Sequence, residues 1–294
     1  MNRMEIDIRE LKKEQKELGI VNLRVLKNGE TVLTWDVEEE IRRNQYSASK
    51  SFTSIAVGIA QREGLLSLEE KLCDVFQEEI PEDPSENLKK ATVRDLLTMA
   101  LGQRTPCLMG GSRITMKEKD WVRYSLARPF EDGPGARFVY NNAGPYLAGI
   151  LVQRRCGCTL TDYLYPRLFE PLGIRRTRWE PDPDGNTFGA GGLFLGVSEL
   201  AKFGQLLLQE GEWKGRELVP AEYIREAGKK QVENEKEGYG YLFWRGPYDS
   251  YRASGKFGQL AVVLQSKNAV VAVNAESRNP QLLNRCLDVI VPQL

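Results

Sequence analysis

The run Leu260-Ala261-Val262-Val263-Leu264 is apolar at every position. Successive side chains of a strand point to opposite faces, so a strand without polar alternation needs cover on both sides. The run therefore predicts a central strand held between two other layers. Tyr239 to Trp244, Tyr248 to Ser254 and Ala269 to Asn274 are further short β-rich runs separated by turns. Near the start of the chain, Ile20 to Lys27 and Glu30 to Val37 flank Asn28-Gly29, a dipeptide that favours the type I′ hairpin turn. Strands joined by short turns pair antiparallel. Between these two groups, residues 50–225 read mostly as helix, with apolar-periodic runs near 51–63, 92–101, 117–127, 144–155, 160–169, 198–210 and 220–227. Amphipathic helices are expected at the two ends, near residues 4–18 and 279–291. The expectation is an α+β fold: an antiparallel sheet built from N- and C-terminal strands, flanked by helices, with a large mainly helical lobe between them. Residues 1–50 plus 226–294 make the sheet region and 51–225 the helical region of one unit.

The bulk numbers exclude several classes. Lys+Arg and Asp+Glu both total 41, so no net charge recommends a nucleic-acid or acidic-membrane partner. No apolar run approaches the roughly 18 residues of a membrane span. The N-terminal stretch is charged through Lys16 and lacks the apolar core of a signal peptide, which favours a cytoplasmic location. Cys73, Cys107, Cys156, Cys158 and Cys286 are odd in number and scattered, so free thiols are expected rather than a disulfide framework. With no histidine in the chain, Cys156-Gly157-Cys158 lacks companions for a zinc site, and neither a metal nor a cofactor is expected. The glycines of 189–192 are not a phosphate loop, because no Gly-Lys-Ser/Thr follows.

The absence of histidine also constrains any hydrolytic chemistry, since a serine nucleophile would need another base. Lys50 is the one lysine preceded by a serine at i−3, in Ser47-Ala48-Ser49-Lys50. One helical turn brings such a pair onto the same face. Phe52, Ile55, Ala56, Ile59 and Ala60 follow at helical spacing and Gly64 ends the run, so Ser47 stands at or near a helix start. The positive end of that helix would favour a developing anion at Ser47 and depress the Lys50 pKa. About one Ser-x-x-Lys match is expected by chance in a chain of this length, and a serine cap followed by a solvated lysine reads equally well from these residues alone.

Two further segments carry suitable chemistry. Tyr140-Asn141-Asn142 follows the turn Gly133-Pro134-Gly135, and a phenol and an amide on such a loop can relay a proton and hold a carbonyl. A packed tyrosine and a helix-capping asparagine are the plainer alternative. Arg252-Ala253-Ser254-Gly255-Lys256-Phe257-Gly258-Gln259 places small residues between two strands, where a backbone N–H can face a ligand or where a tight hairpin simply needs them.

In this order, Ser47-Ala48-Ser49-Lys50, Tyr140-Asn141-Asn142 and Ala253-Ser254-Gly255 resemble the serine β-lactamase and penicillin-binding-protein superfamily, in particular its class C β-lactamase-like serine hydrolases. Phe169-Glu170-Pro171-Leu172-Gly173-Ile174, Gly189-Ala190-Gly191-Gly192-Leu193 and the segment from Ser198 to Gly204 are similar to later landmarks of that family, so the likeness spans about residues 20 to 275. The resemblance implies a β-lactamase-like fold and an acyl-enzyme mechanism. It implies Ser47 as nucleophile, Lys50 and Tyr140 as the proton-handling groups, Asn142, Ser254 and Gly255 at the substrate, and the amides of Ser47 and Lys256 as an oxyanion hole.

One position departs from the pattern. Ala253 stands where the family has Lys or His, a cation that helps attract the carboxylate of penicillins and related peptides. Losing a charge-assisted contact weakens binding by about 1.5–3 kcal/mol. Arg252 or Lys256 offers a replacement charge, unless strand alternation turns it away. The expected activity is therefore serine hydrolysis of a small-molecule ester, amide or peptide, of the carboxylesterase, amidase or D-aminopeptidase/carboxypeptidase type, rather than efficient β-lactam hydrolysis. The alternative is a weakly active or inactive homologue that binds a peptide or small molecule.

Overall fold

A computed structural model describes residues 5–294. Its strands are β1 (Ile20–Lys27), β2 (Glu30–Asp36), β3 (Arg43–Asn44), β4 (Phe194–Leu195), β5 (Glu212–Trp213), β6 (Arg216–Glu217), β7 (Trp244–Gly246), β8 (Ser250–Gly255), β9 (Gln259–Leu264) and β10 (Ala269–Ala275). Six of them form one antiparallel sheet in the order β2-β1-β10-β9-β8-β7, which joins the two ends of the chain through the β1–β10 pair. The hairpin between β1 and β2 turns at Asn28 and Gly29, both at positive φ, as a type I′ turn requires.

β9 has the two-sided burial that its uniform apolarity demands. Leu260, Val262 and Leu264 join one core with Leu11, Leu18, Leu287 and Ile290 of the terminal helices. Ala261 and Val263 face the other core, continuous with the helical lobe. The helix Val197–Leu208 packs on that second side against β1, β9 and β10. The architecture is α+β, with most of the helices lying between β2 and β7 in sequence.

Several boundaries differ from the sequence reading. The N-terminal helical expectation narrows to Arg9–Lys13 and Gln15–Leu18, and its first residue, Met4, lies outside the described residues. Ile6, Ile8 and Leu11 are buried, so this segment packs on the sheet rather than lying exposed. Of the expected strand from Tyr239 to Trp244, only Trp244 is in a strand, as the first residue of β7, and Tyr239 makes isolated bridges to Val232 and Trp244. Leu242 adopts φ 62°, and its N–H bonds to the Leu97 carbonyl, so the chain turns toward the helical lobe before entering β7. The next strand starts at Ser250 because Tyr248 and Asp249 both take positive φ in the connecting turn. The small hairpin of β5 and β6 escaped the hydrophobic pattern, since its strands are two residues long and largely exposed. No helix among the described residues is long and apolar enough to cross a membrane.

Candidate active site

Ser47 lies in a single 3-10 turn, Tyr46–Ala48, which feeds the helix Ser49–Arg62. Tyr46, immediately before it, has φ 46°, a left-handed conformation that is uncommon for a residue of its size. The Asn44 side chain holds this turn by accepting from the Tyr46 N–H at 2.7 Å. Gln45 anchors it below: its N–H bonds to the Leu193 carbonyl at 2.7 Å, and its amide donates to the Leu195 carbonyl at 2.8 Å.

The start of the helix is fixed through polar side chains as much as through packing. Ser49 Oγ accepts from the Leu193 N–H at 3.1 Å, Lys50 Nζ donates to the Ala190 carbonyl at 2.7 Å, and Thr53 Oγ1 donates to the Gly189 carbonyl at 2.7 Å. The glycine-rich segment 189–192 thus serves as a backbone cradle for the helix. Its tight path lets main-chain groups reach side chains that a bulkier segment would hold away.

Lys50 is 1% exposed, and its Nζ lies 2.9 Å from Ser47 Oγ. Burial lowers its pKa to about 7, with a smaller push from the nearby Arg113 guanidinium. The lowering has the direction that the sequence suggested, and burial is its largest cause. A neutral amine that donates to Ala190 keeps its lone pair for the Ser47 proton. The Tyr140 ring centroid lies 5.1 Å from Lys50 Nζ. Burial pushes the Tyr140 phenol up to about 12, opposed in part by a hydrogen bond with Ser47. Ser47 and Lys50, from one sequence pattern, and Tyr140, from a second, form one contiguous cluster. Tyr140 is braced from outside by Trp244, stacked at 5.5 Å, while Tyr239 meets it edge-on at 6.5 Å.

The asparagines divide their work. Asn141 Oδ1 caps the helix Ala143–Cys156 by accepting from the Gly144 N–H at 3.1 Å. Asn142 makes no side-chain cap bond; its Nδ2 donates to the Leu108 carbonyl at 2.7 Å. Asn142 Oδ1 is buried with no partner, and such an orphaned acceptor is costly unless a ligand or solvent satisfies it. The capping role open to either residue thus falls to Asn141.

The end of β8 runs beside the nucleophile turn. A Cβ on Gly255 would lie 2.1 Å from the Gln45 carbonyl oxygen and 3.1 Å from the Ala48 nitrogen, so only glycine permits this approach. Ser254 and Gly255 close the strand and Lys256 begins the turn that follows. Among the described residues, no backbone acceptor takes the Ser47 or Lys256 N–H.

Position 253 faces the core. Ala253 is fully buried opposite Ala261 in the core. The two neighbouring cations are placed differently. Arg252 is buried and donates to the Arg245 carbonyl, and burial lowers its pKa to about 10. Lys256 is exposed with its Nζ 4.7 Å from the Phe257 ring centroid. The cation close enough to depress Lys50 is Arg113, which sequence reasoning missed. It lies over the Phe188 ring at 4.2 Å and pairs with Glu180 at 3.3 Å, and Glu180 accepts from Asn44 at 3.3 Å. No motif flagged Arg113, which sits in a five-residue helix within a long loop. Among the described residues, no group of three or more His, Cys, Asp or Glu side chains is arranged to hold a metal.

Half-buried Ser47, buried Lys50 and Tyr140 thus lie together beside the end of β8. The β-lactamase family model matches residues 7–290, and the chain belongs to that family. An uncharacterised protein of Alkalihalophilus pseudofirmus is 23% identical over 293 residues, covering 86% of this chain and 79% of that one. Among solved structures, a protein provisionally assigned as a 6-aminohexanoate-dimer hydrolase from Bacillus anthracis superimposes with a TM-score of 0.79 at 18% identity, covering 100% of this chain and 84% of that one. The octameric penicillin-binding protein homologue of Pyrococcus abyssi gives 0.75 at 21% identity, covering 93% and 74%. A penicillin-binding protein of Bacillus halodurans gives 0.72 at 18%, covering 95% and 100%. At these identities the structural likeness establishes the shared fold.

Proposed function

We propose that the protein hydrolyses a small-molecule ester or amide through an acyl-enzyme on Ser47. The observation that carries this reading is the 2.9 Å approach of a buried Lys50 amine, its pKa lowered to about 7, to the Ser47 hydroxyl. Such an amine is largely neutral near pH 7 and can take the serine proton as Oγ attacks the carbonyl carbon. Tyr140, protonated through the neutral range, passes a proton to the leaving group and then helps to activate water for deacylation. The free amides of Ser47 and Lys256 bind the oxyanion, where two preorganised donors contribute most when water is excluded. Asn142 Oδ1 accepts from an N–H of the substrate and so satisfies its orphaned lone pairs.

The β8 edge supports an ester or linear amide over a β-lactam. Ala253 is buried and Arg252 faces away, so this strand offers no cation beside Ser254 for a β-lactam carboxylate. The provisional assignment of the Bacillus anthracis neighbour as a 6-aminohexanoate-dimer hydrolase supports an amide among these substrates.

Labelling with a fluorophosphonate, followed by peptide mapping, tests the proposal. The expected result is a single adduct on Ser47 that disappears in Ser47→Ala. The absence of an adduct on the folded wild type, or equal labelling of Ser47→Ala, would instead favour a binding protein that has kept the fold without the chemistry. A panel of ester, linear amide and nitrocefin should rank nitrocefin last, and a strong preference for nitrocefin would overturn the argument from Ala253.

A further inference from the structure

A cavity of about 500 Å³ opens on the outer side of Trp244, lined by Phe138, Glu233, Asn234, Glu235, Lys236 and Trp244. That is within the size range of small-molecule sites, roughly 300–1,000 Å³. Its floor is aromatic and joined to the reaction centre. Trp244 stacks on Tyr140 at an interplanar angle of 26°, and Phe138 meets Trp244 at 5.7 Å and Tyr239 at 5.4 Å.

The rim is charged, and one of its own cations already uses the floor. Lys236 Nζ lies 6.0 Å from the Trp244 ring centroid, at the outer limit of a cation–π contact. Two carboxylates flank it: Glu233 pairs with Lys230 at 2.6 Å, and exposed Glu235 makes no ion pair among the described residues. Asn234 Oδ1 shapes the loop by accepting from the N–H groups of Lys236 and Gly238, at 2.8 and 2.9 Å. Its Nδ2 is buried without a partner. The slot therefore combines a π face, acidic groups and a weakly held internal ammonium.

We infer that this slot is the leaving-group subsite, and that it takes a leaving group with an aromatic or alkyl body carrying an ammonium end. The inference rests on the acyl-enzyme reading above, because it is Tyr140 that faces the departing atom there. In the acylation step the bond from Ser47 Oγ to the acyl carbon forms and the bond from that carbon to the leaving oxygen or nitrogen breaks. The Ser47 proton passes through Lys50 and Tyr140 to that departing atom, so the alcohol or amine leaves neutral at the cleaved end. Its far end lies over Trp244, and its ammonium displaces that of Lys236 and approaches Glu235. Water then cleaves the Ser47 ester and releases the acid.

The test is a series of esters sharing one acyl group, with phenyl, 4-(trimethylammonio)phenyl, 4-carboxyphenyl and ethyl leaving groups. Rates are normalised to hydroxide-catalysed hydrolysis, and fluorophosphonate labelling of Ser47 runs in parallel. The expected wild-type order of kcat/KM is cationic, then neutral aryl, then anionic, with adjacent steps of about three- to thirtyfold from contacts of this kind. Lys236→Ala should widen the ratio of cationic to anionic substrate and Glu235→Gln should narrow it; both residues are on the exposed rim. Trp244→Leu should narrow the ratio of aryl to ethyl substrate. An enzyme that labels at Ser47 but shows the same normalised ratios in wild type and variants overturns the subsite alone. An enzyme that does not label overturns the hydrolase reading and the subsite with it.

Discussion

Lys50→Met separates what the lysine does for chemistry from what it costs the fold. Methionine fills a similar unbranched volume without the amine. Burial lowers the Lys50 pKa from 10.5 to about 7. Between those two values the unfolded chain binds one more proton than the folded chain. Wild-type stability therefore rises with pH across that window, by about 1.4 kcal/mol per unit, and is lowest at and below its lower edge. Over the whole window the difference is roughly 5 kcal/mol, and Lys50→Met is free of it. The substitution loses the donor bond to the Ala190 carbonyl, at about 1–3 kcal/mol for a buried acceptor left unpaired, and about 1 kcal/mol of bonding to Ser47. The net expectation at pH 7 is a variant about 1–3 kcal/mol more stable than wild type. That advantage should vanish and then reverse as the pH approaches 10. Urea unfolding at pH 7, 8, 9 and 10 measures it. Turnover should meanwhile fall by about 10²–10⁴, the usual worth of a positioned base. A variant that is less stable at pH 7, or whose stability difference is independent of pH, refutes the idea that Lys50 is held neutral by burial.

Other perturbations follow from the same geometry. Tyr140→Phe keeps the ring stacked on Trp244 but removes the phenol, so thermal stability should hardly move while turnover drops by about 10²–10⁴; near-normal turnover would remove Tyr140 from the proton path. Arg113→Gln withdraws a cation from Lys50, which lets the ammonium persist to higher pH. The midpoint of the pH–rate profile should then move upward by a fraction of a unit, because burial is the larger cause; a shift to lower pH contradicts this. Gly255→Ala forces a Cβ to within 2.1 Å of the Gln45 carbonyl, so β8 and the nucleophile turn must separate. Loss of turnover with only modest loss of thermal stability is expected in a kinetic and melting comparison, and full activity would show that the strand edge takes no part.

The site was legible in sequence to the extent that its chemistry travels in side chains at fixed spacing. Ser47 and Lys50 are three apart, so helical geometry alone brings them together, and β9 announced its place in the sheet through uninterrupted apolarity. Tyr140 could be paired with them only by family resemblance, because no local rule links residues almost a hundred positions apart. The remainder depends on backbone and tertiary context. The Ala190 carbonyl that holds Lys50 has no side-chain signature. The division of labour between Asn141 and Asn142 turns on which amide reaches the Gly144 N–H, a question of loop angle rather than residue type. Arg113 was invisible because its proximity to Lys50 arises from tertiary packing between segments far apart in sequence. Ala253 departs from the family pattern in the sequence itself, but its burial and the inward turn of Arg252 needed the register of β8 against β9.

The central claim is that a neutral, buried Lys50 activates Ser47. The rate of Ser47 phosphonylation by a fluorophosphonate, followed by intact mass from pH 5 to 10, tests it most directly. The reagent has no ionisable group in that range, so the profile reports the enzyme. The rate should rise through a midpoint near pH 7, in step with the lowered Lys50 pKa, level off above it, and collapse in Lys50→Met. A profile that is flat, or that climbs only above pH 9, would contradict the account.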